Sequence, residues 1–167
     1  MGWDSSREWQ SAQDVKAAMI RDFTGDGRRV LAHGGTGREF YLALENSETN
    51  QRGIVLCLIE RWEGEYGVKI IAETGHPYYY GCPDKVLKAA GPPKYESSEA
   101  QKRAEDWRAE VARQKARAKR KFKQGDAVTV YGKPYTILNP AWTKTYATMR
   151  APDGEVCKAR IQNIELA

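Results

Sequence analysis

Long apolar runs are missing from the sequence. The longest mainly apolar stretch, Gly53 to Ile59, is far too short to span a lipid bilayer. The first five residues, Met1 to Ser5, also lack the basic segment and the following apolar stretch of a secretory signal. The sequence therefore predicts a cytoplasmic protein with no membrane partner.

Cysteine and histidine are scarce and widely spaced. Cys57, Cys82 and Cys157 are odd in number and far apart, which favours reduced thiols over a disulfide framework. A tetrahedral zinc site usually uses closely spaced ligand pairs, and neither these cysteines nor the two histidines, His33 and His76, provide one. We expect neither a metal site nor a cofactor.

The motif of a phosphate-binding loop is also incomplete. Segment 33–38 is rich in glycine, whose backbone amides can approach an anion closely. It lacks the lysine and the following Ser or Thr of a Walker loop. A hairpin turn between two strands explains these glycines without any ligand.

Basic residues, in contrast, are abundant and concentrated in one segment. The formal net charge is +5. Seven cations with no intervening acid contribute +7, so the rest of the chain carries −2. These cations are Arg113, Lys115, Arg117, Lys119, Arg120, Lys121 and Lys123. A partner attracted by charge should therefore bind at this segment.

Residues 1–93 have the pattern of an α+β module with an antiparallel sheet. A capping box at Ser11 and Asp14 begins a helix that is predicted to reach Phe23. A hairpin loop at 63–65 and a short helix over 84–90 are predicted from Gly and Pro positions. Strands are expected at 30–33, 39–44, 53–62 and 66–72.

Residues 94–123 are predicted to form a charged linker helix. Ser97 or Ser98 can cap it, and apolar residues recur at a spacing near 3.6 as far as Phe122. Because like charges four residues apart repel each other, the basic second half of this helix costs stability without a counter-charge. The apolar stripe consists of Ala100, Ala104, Trp107, Val111, Ala118 and Phe122.

Residues 124–167 favour a small SH3-like β-barrel. Their composition changes to short β segments separated by turns that contain Gly, Pro and Asn. The five predicted segments are 127–131, 135–138, 146–150, 155–159 and 164–166. The whole chain is therefore expected to be α+β, with an N-terminal sheet module, a long basic helix and a C-terminal barrel.

Two short motifs carry a resemblance to a group of known proteins. The chain opens with Met1-Gly2-Trp3, and the run Pro77-Tyr78-Tyr79-Tyr80-Gly81-Cys82-Pro83 precedes the short helix. In these motifs residues 1–95 resemble a family of small uncharacterised proteins encoded by phages and other mobile elements, and segment 122–166 resembles the SH3-like tail that such proteins often carry. The resemblance implies a phage accessory protein acting in the bacterial host cytoplasm, on host defence or nucleic-acid metabolism. It implies no catalytic residue.

Nucleic-acid binding is the leading hypothesis for the function. Clustered lysines and arginines can neutralise phosphates and release their counterions, and aromatic side chains among cations can stack on bases. The absence of a helix-turn-helix or zinc-finger pattern disfavours sequence-specific readout. Trp142 is expected in a partly exposed loop. The predicted site comprises the seven cations of segment 113–123 together with Trp142, Lys144 and Arg150.

Other functions stay open on the sequence alone. The basic segment could be a solvated helix or could meet an acidic protein, which would make the chain an interaction adaptor. A small enzyme acting on a nucleotide or a protein would need a thiol-imidazole pair, such as Cys82 with His76 or His33. We expect a non-enzymatic protein that binds nucleic acid or a nucleoprotein complex, with a host protein as a further partner. The carboxylates near the strand ends are expected to be surface charge: Glu60, Glu63, Glu65 and Glu73.

Overall fold

The structure, a computed structural model, describes residues 2–6 and 8–167. The chain divides into two units, which we call the N-terminal unit (residues 1–111) and the C-terminal unit (residues 112–167). The division falls inside the long helix. The predicted segment boundaries after residues 93 and 123 stay predictions. The fold class is α+β, as predicted: the described residues form two antiparallel sheets and three α-helices.

The sheet of the N-terminal unit has five antiparallel strands in the order β1-β5-β4-β3-β2. The predicted hairpin between the fourth and fifth strands is confirmed. Trp62 pairs with Glu65, and the two residues between them, Glu63 and Gly64, have φ angles of +51° and +87°. Such a turn matches the twist of the flanking strands. The strands are β1 (Asp4–Ser6), β2 (Arg28–Gly34), β3 (Glu39–Asn46), β4 (Gln51–Trp62) and β5 (Glu65–Ala72).

Helix α1 (Ala12–Asp22) covers one face of this sheet. The predicted capping box is present, because Ser11 Oγ accepts from Asp14 N at 3.2 Å and Asp14 Oδ2 accepts from Ser11 N at 2.8 Å. The helix ends one residue before the predicted Phe23. Its buried residues pack on a sheet face formed by β3, β4 and β5. These helix residues are Val15, Ala18 and Met19.

The opposite face of the sheet packs against α2 (Asp84–Ala90) and the first part of α3 (Ser98–Ala118). Trp107 of α3 stacks on Tyr41 of β3 with ring centroids 6.4 Å apart, and its indole N–H donates to the Tyr79 carbonyl at 3.1 Å. The sheet is therefore buried on both faces. Such burial explains why β3 and β4 are almost continuously apolar instead of alternating.

Helix α3 is shorter than predicted, because it ends at Ala118 and not near Phe122. Lys119 N donates to the Ala116 carbonyl and Arg120 N to the Arg117 carbonyl, each at 3.2 Å, so the last turn tightens to a 3-10 pattern. Phe122 therefore lies beyond the helix and is buried in the core of the C-terminal unit. Within residues 2–6 and 8–167, no helix combines the length and the apolar character that crossing a membrane requires.

The sheet of the C-terminal unit has five antiparallel strands in the order β10-β6-β7-β8-β9. The last strand of the chain pairs with the first strand of this unit, but β9 and β10 remain the edges of an open sheet. A closed SH3-like barrel is therefore not confirmed. The strands are β6 (Ala127–Val130), β7 (Lys133–Asn139), β8 (Tyr146–Arg150), β9 (Val156–Arg160) and β10 (Ile164–Leu166).

One face of this second sheet carries the core of the C-terminal unit. Alternate residues along β6 and β8 point into it, as the period of a strand requires. The core consists of Phe122, Val128, Val130, Ile137, Ala147, Met149, Ile161 and Ile164. The other face of the sheet is formed by the intervening residues, which include exposed Lys158, Arg160 and Val156 of β9.

Candidate nucleic-acid interface

The two units carry opposite net charges. Residues 1–111 contain 15 Lys and Arg against 18 Asp and Glu, a formal charge of −3. Residues 112–167 contain 12 Lys and Arg against 4 Asp and Glu, a formal charge of +8. The positive charge therefore resides in the C-terminal unit, and it extends beyond segment 113–123 into the strands.

Three lysines of the predicted cationic site lie after the end of α3. Lys119, Lys121 and Lys123 are exposed in the stretch that connects α3 to β6. Among residues 2–6 and 8–167, no carboxylate lies within ion-pair distance of their ammonium groups. A side-chain hydrogen bond holds the backbone of this stretch, because Lys123 N donates to the Asp126 carboxylate at 2.8 Å. We call these three residues the connector lysines.

The four other cations of segment 113–123 already interact within the protein. Arg113 and Lys115, on the last two turns of α3, each have a partner. Arg117 forms an ion pair with Glu165 at 3.3 Å, in which the two side chains are 36% and 55% exposed.

Arg120 plays a different part, since its guanidinium donates to the Ile164 carbonyl at 3.0 Å. Arg117 and Arg120 thus attach the segment to β10.

The other three predicted residues lie on or beside strand β8. Trp142 and Lys144 belong to the loop between β7 and β8, and Arg150 ends β8. All three are exposed. Trp142 is 47% exposed, so the predicted partial exposure of its loop is confirmed. The Lys158 ammonium lies 3.4 Å from the centroid of the Trp142 ring.

Two cations that lie beside Trp142 and Tyr146 were missing from the predicted site. Lys158 and Arg160 lie on β9 and are both exposed. The sequence does contain the signal that could have found them. In Val156–Arg160 the partly buried Cys157 and Ala159 alternate with exposed residues, and a period of two assigns Lys158 and Arg160 to the face opposite the core.

The thiol-imidazole pair is not supported by the geometry. Cys82 is fully buried among the core residues between the sheet and α2, so its sulfur is closed to a dissolved substrate. Its Sγ lies 3.9 Å from the Pro83 carbonyl oxygen. Burial likewise raises the pKa of the Cys57 thiol to about 12, which keeps that cysteine protonated and unreactive.

A cleft of about 580 Å³ lies beside His76 in the N-terminal unit. Exposed Trp3 and Tyr78 line it, whereas Cys82 does not. The cleft also presents Glu60 and Lys69. Exposed aromatic rings and charged side chains therefore meet in this cleft.

The glycine-rich segment 33–38 forms the end of β2 and the loop to β3. Gly35 has a φ of +152°, and a Cβ there would lie 1.9 Å from the Glu39 carbonyl oxygen. The loop geometry alone therefore requires this glycine. Arg38 is engaged as well, since its guanidinium pairs with Glu60 and donates to Tyr79 Oη at 3.0 Å.

Glu73 is buried, so its expected place among the surface charges was wrong. Its carboxylate accepts from Arg108 Nε at 2.7 Å and from Arg108 Nη2 at 3.0 Å. Tyr95 Oη donates to it at 2.8 Å and Ile54 N at 3.0 Å. Burial and the neighbouring Glu73 raise the pKa of Tyr95. We call Glu73, Arg108 and Tyr95 the buried triad. It joins the end of β5 to β4 and α3 and is structural.

Among residues 2–6 and 8–167, no three metal-binding side chains converge on one point. No protein-family model, curated protein or solved structure matches the chain.

Proposed function

We propose that the chain is a non-enzymatic accessory protein whose C-terminal unit binds nucleic acid, alone or in a nucleoprotein complex. The observation that carries the proposal is the formal charge of +8 on residues 112–167, with the connector lysines exposed and without carboxylate partners in the described chain. The closely spaced phosphates of nucleic acid suit such a surface.

Counterion release supplies the driving force. Each phosphate that a lysine or arginine neutralises releases condensed cations, so affinity falls steeply as salt increases. Engagement of about 4 to 6 phosphates on duplex DNA gives a log-log salt slope of roughly −4 to −5. The exposed Arg117–Glu165 pair adds little to stability, and Arg117 can exchange Glu165 for a phosphate at low cost.

The N-terminal unit has a different part in this proposal. Its net charge is negative, and Trp3, Trp62 and Tyr78 expose aromatic surface, which suits a protein partner better than a polyanion. The resemblance to phage-encoded proteins gives the setting, a bacterial host cytoplasm. A protein that couples nucleic-acid binding to a host protein would serve as an inhibitor of a host defence system.

Reversal of the connector lysines tests the proposal. We expect Lys119→Glu, Lys121→Glu and Lys123→Glu together to abolish retention on heparin and to reduce the salt slope of DNA binding by about 3. These three residues are preferable to Arg117 and Arg120, whose reversal would also disturb the contacts to β10. Fluorescence anisotropy against labelled DNA and RNA, titrated with salt, provides the measurement.

A matched control reverses three exposed lysines of the N-terminal unit, Lys85, Lys88 and Lys94. It changes the net charge by the same amount at another place and should leave binding intact. Equal loss in both triple variants would show that only net charge matters and would reject the proposed interface. Binding of polyglutamate in preference to nucleic acid would instead support the adaptor function and reject this one.

A further inference from the structure

We propose that the outer face of β8 and β9, together with Trp142, stacks unpaired bases, so that the preferred ligand is single-stranded nucleic acid. This inference rests on the proposed function and adds the class of ligand. The surface is a second one, separate in sequence from the connector lysines. We call Trp142, Tyr146, Lys158 and Arg160 the stacking face.

The strand register brings the cations and the aromatic ring together. Tyr146 of β8 pairs with Arg160 of β9, and Thr148 pairs with Lys158. Paired residues of neighbouring antiparallel strands project from the same face. The neighbouring residues Ala147 and Met149 are buried in the core, so Tyr146, Lys158 and Arg160 must lie on the side away from it.

Each aromatic ring of the stacking face has its own cation. The Lys158 ammonium lies 3.4 Å from the Trp142 ring centroid, and the Arg160 guanidinium lies 5.8 Å from that of Tyr146. Arg160 Nε also donates to Tyr146 Oη at 3.1 Å. The two rings meet edge to face with centroids 6.5 Å apart. A base that stacks on the uncovered part of the indole would therefore find a cation beside it for its phosphate.

The loop that carries Trp142 is held in place before any ligand binds. Thr143 Oγ1 accepts from Thr145 N at 3.2 Å and from Tyr146 N at 3.0 Å. Asn139 Oδ1 accepts from Ala141 N at 3.1 Å, and the Thr145 carbonyl accepts from Ile161 N at 2.9 Å. An aromatic side chain on a preorganised loop loses little conformational entropy when it binds.

Charge and shape on this face favour an unpaired strand. The sequences of β8 and β9, Tyr-Ala-Thr-Met-Arg and Val-Cys-Lys-Ala-Arg, contain no acid, and Arg150 adds a third outward cation. Bases in a duplex are stacked on each other, so their faces are closed to Trp142 and Tyr146. A single strand presents both its phosphates and its base faces, which is the combination that mixed cations and aromatics bind.

Anisotropy with two ligands tests the inference on the full chain. A labelled mixed-sequence single strand and the duplex of the same length are titrated with the wild-type protein and with Trp142→Ala. We expect the single strand to bind more tightly. Trp142→Ala should weaken single-strand binding by about 5- to 150-fold, the equivalent of roughly 1 to 3 kcal/mol for one stacked base. Duplex binding should not change.

Two further variants complete the design. Trp62→Ala removes a tryptophan of similar exposure, 42%, from the N-terminal unit and should leave binding unchanged. Trp142→Phe keeps an aromatic ring and should retain most of the affinity, which separates stacking from a folding defect.

The possible outcomes separate the two proposals. Equal affinity for both ligands, or equal weakening of both by Trp142→Ala, overturns the single-strand inference while cation-driven binding stands. No binding to either ligand overturns both the inference and the proposed function.

Discussion

The two units of the chain treat charge in opposite ways. In the N-terminal unit an arginine and a glutamate are buried together, with side chains that are 13% and 0% exposed. In the C-terminal unit the corresponding pair, Arg117 and Glu165, remains in solvent, and most of the other cations point outwards. The buried pair of the first unit holds its elements together. Most cations of the second unit are exposed to solvent.

Exposure to solvent explains why an Arg–Glu pair contributes differently to stability in the two units. A buried ion pair is attracted strongly but must overcome desolvation, so it is stable only when all its hydrogen bonds are made, as they are in the buried triad. An exposed pair is screened by water and salt and contributes little. A cation in solvent is therefore inexpensive to redirect to a phosphate, whereas Arg108 is not.

The largest effect should follow from breaking the buried triad. Arg108→Ala leaves the Glu73 carboxylate buried without its counter-charge and should lower the free energy of unfolding by about 3 to 5 kcal/mol. The matched change in the C-terminal unit, Arg117→Ala, should cost less than about 1 kcal/mol. Urea denaturation followed by circular dichroism measures both. Similar losses in the two variants would contradict the contrast between the units.

A smaller effect should follow from removing single hydroxyl groups. Tyr95→Phe removes the hydrogen bond to the Glu73 carboxylate and should cost about 1.5 to 3 kcal/mol, the range for bonds to charged groups. Tyr131→Phe is its counterpart in the C-terminal unit. Tyr131 is 84% exposed and its Oη accepts from Asn163 Nδ2 at 2.9 Å, so water can replace that bond and stability should hardly change. A larger loss for Tyr131→Phe than for Tyr95→Phe would reverse the comparison.

Local signals in the sequence predict much of the fold. The capping box at Ser11 fixes the start of α1, the turn at Glu63 and Gly64 fixes a hairpin, and α2 begins and ends at the predicted residues. Each of these signals lies within a few residues of the structure that it specifies. Strand β1 escaped prediction because three residues are too few to show a period.

Features that depend on distant contacts were beyond local patterns. Glu73 is buried because Arg108, 35 residues away, supplies its counter-charge. No residue close to Glu73 in the sequence indicates that partner. Helix α3 ends early because Phe122 packs in a core that only forms with β6 to β10. At the candidate site, the cations of segment 113–123 were visible as a run. The period of two in 156–160 assigns Lys158 and Arg160 to the outer face of the sheet. Only the pairing of β8 with β9 shows that they lie beside Tyr146 and Trp142.

The smallest predicted effect is a change in stability at low pH, and it tests an ion-pair cluster of the N-terminal unit. Hydrogen bonds from Arg52 and Arg29 hold the pKa of the partly buried Glu45 carboxyl below its ordinary value of 4.5. Arg29 Nε donates to Glu45 Oε2 at 2.8 Å, and Arg52 pairs with Oε1. A carboxyl whose pKa is lowered by folding stabilises the protein above its unfolded pKa, and this contribution is lost as pH falls through the folded pKa.

Thermal melts between pH 6 and pH 3 should therefore show a smaller loss of Tm for Glu45→Gln than for the wild type, since the variant has no carboxylate to lose. Arg52→Ala removes the largest cause of the shift and should flatten the profile in the same direction. Both variants remove the same interaction. The double variant should therefore lose little more of the pH dependence than either single variant does. A profile unchanged by Glu45→Gln would show that solvent screens this cluster as fully as it screens Arg117 and Glu165, and the two units would then differ only in the pair that is buried.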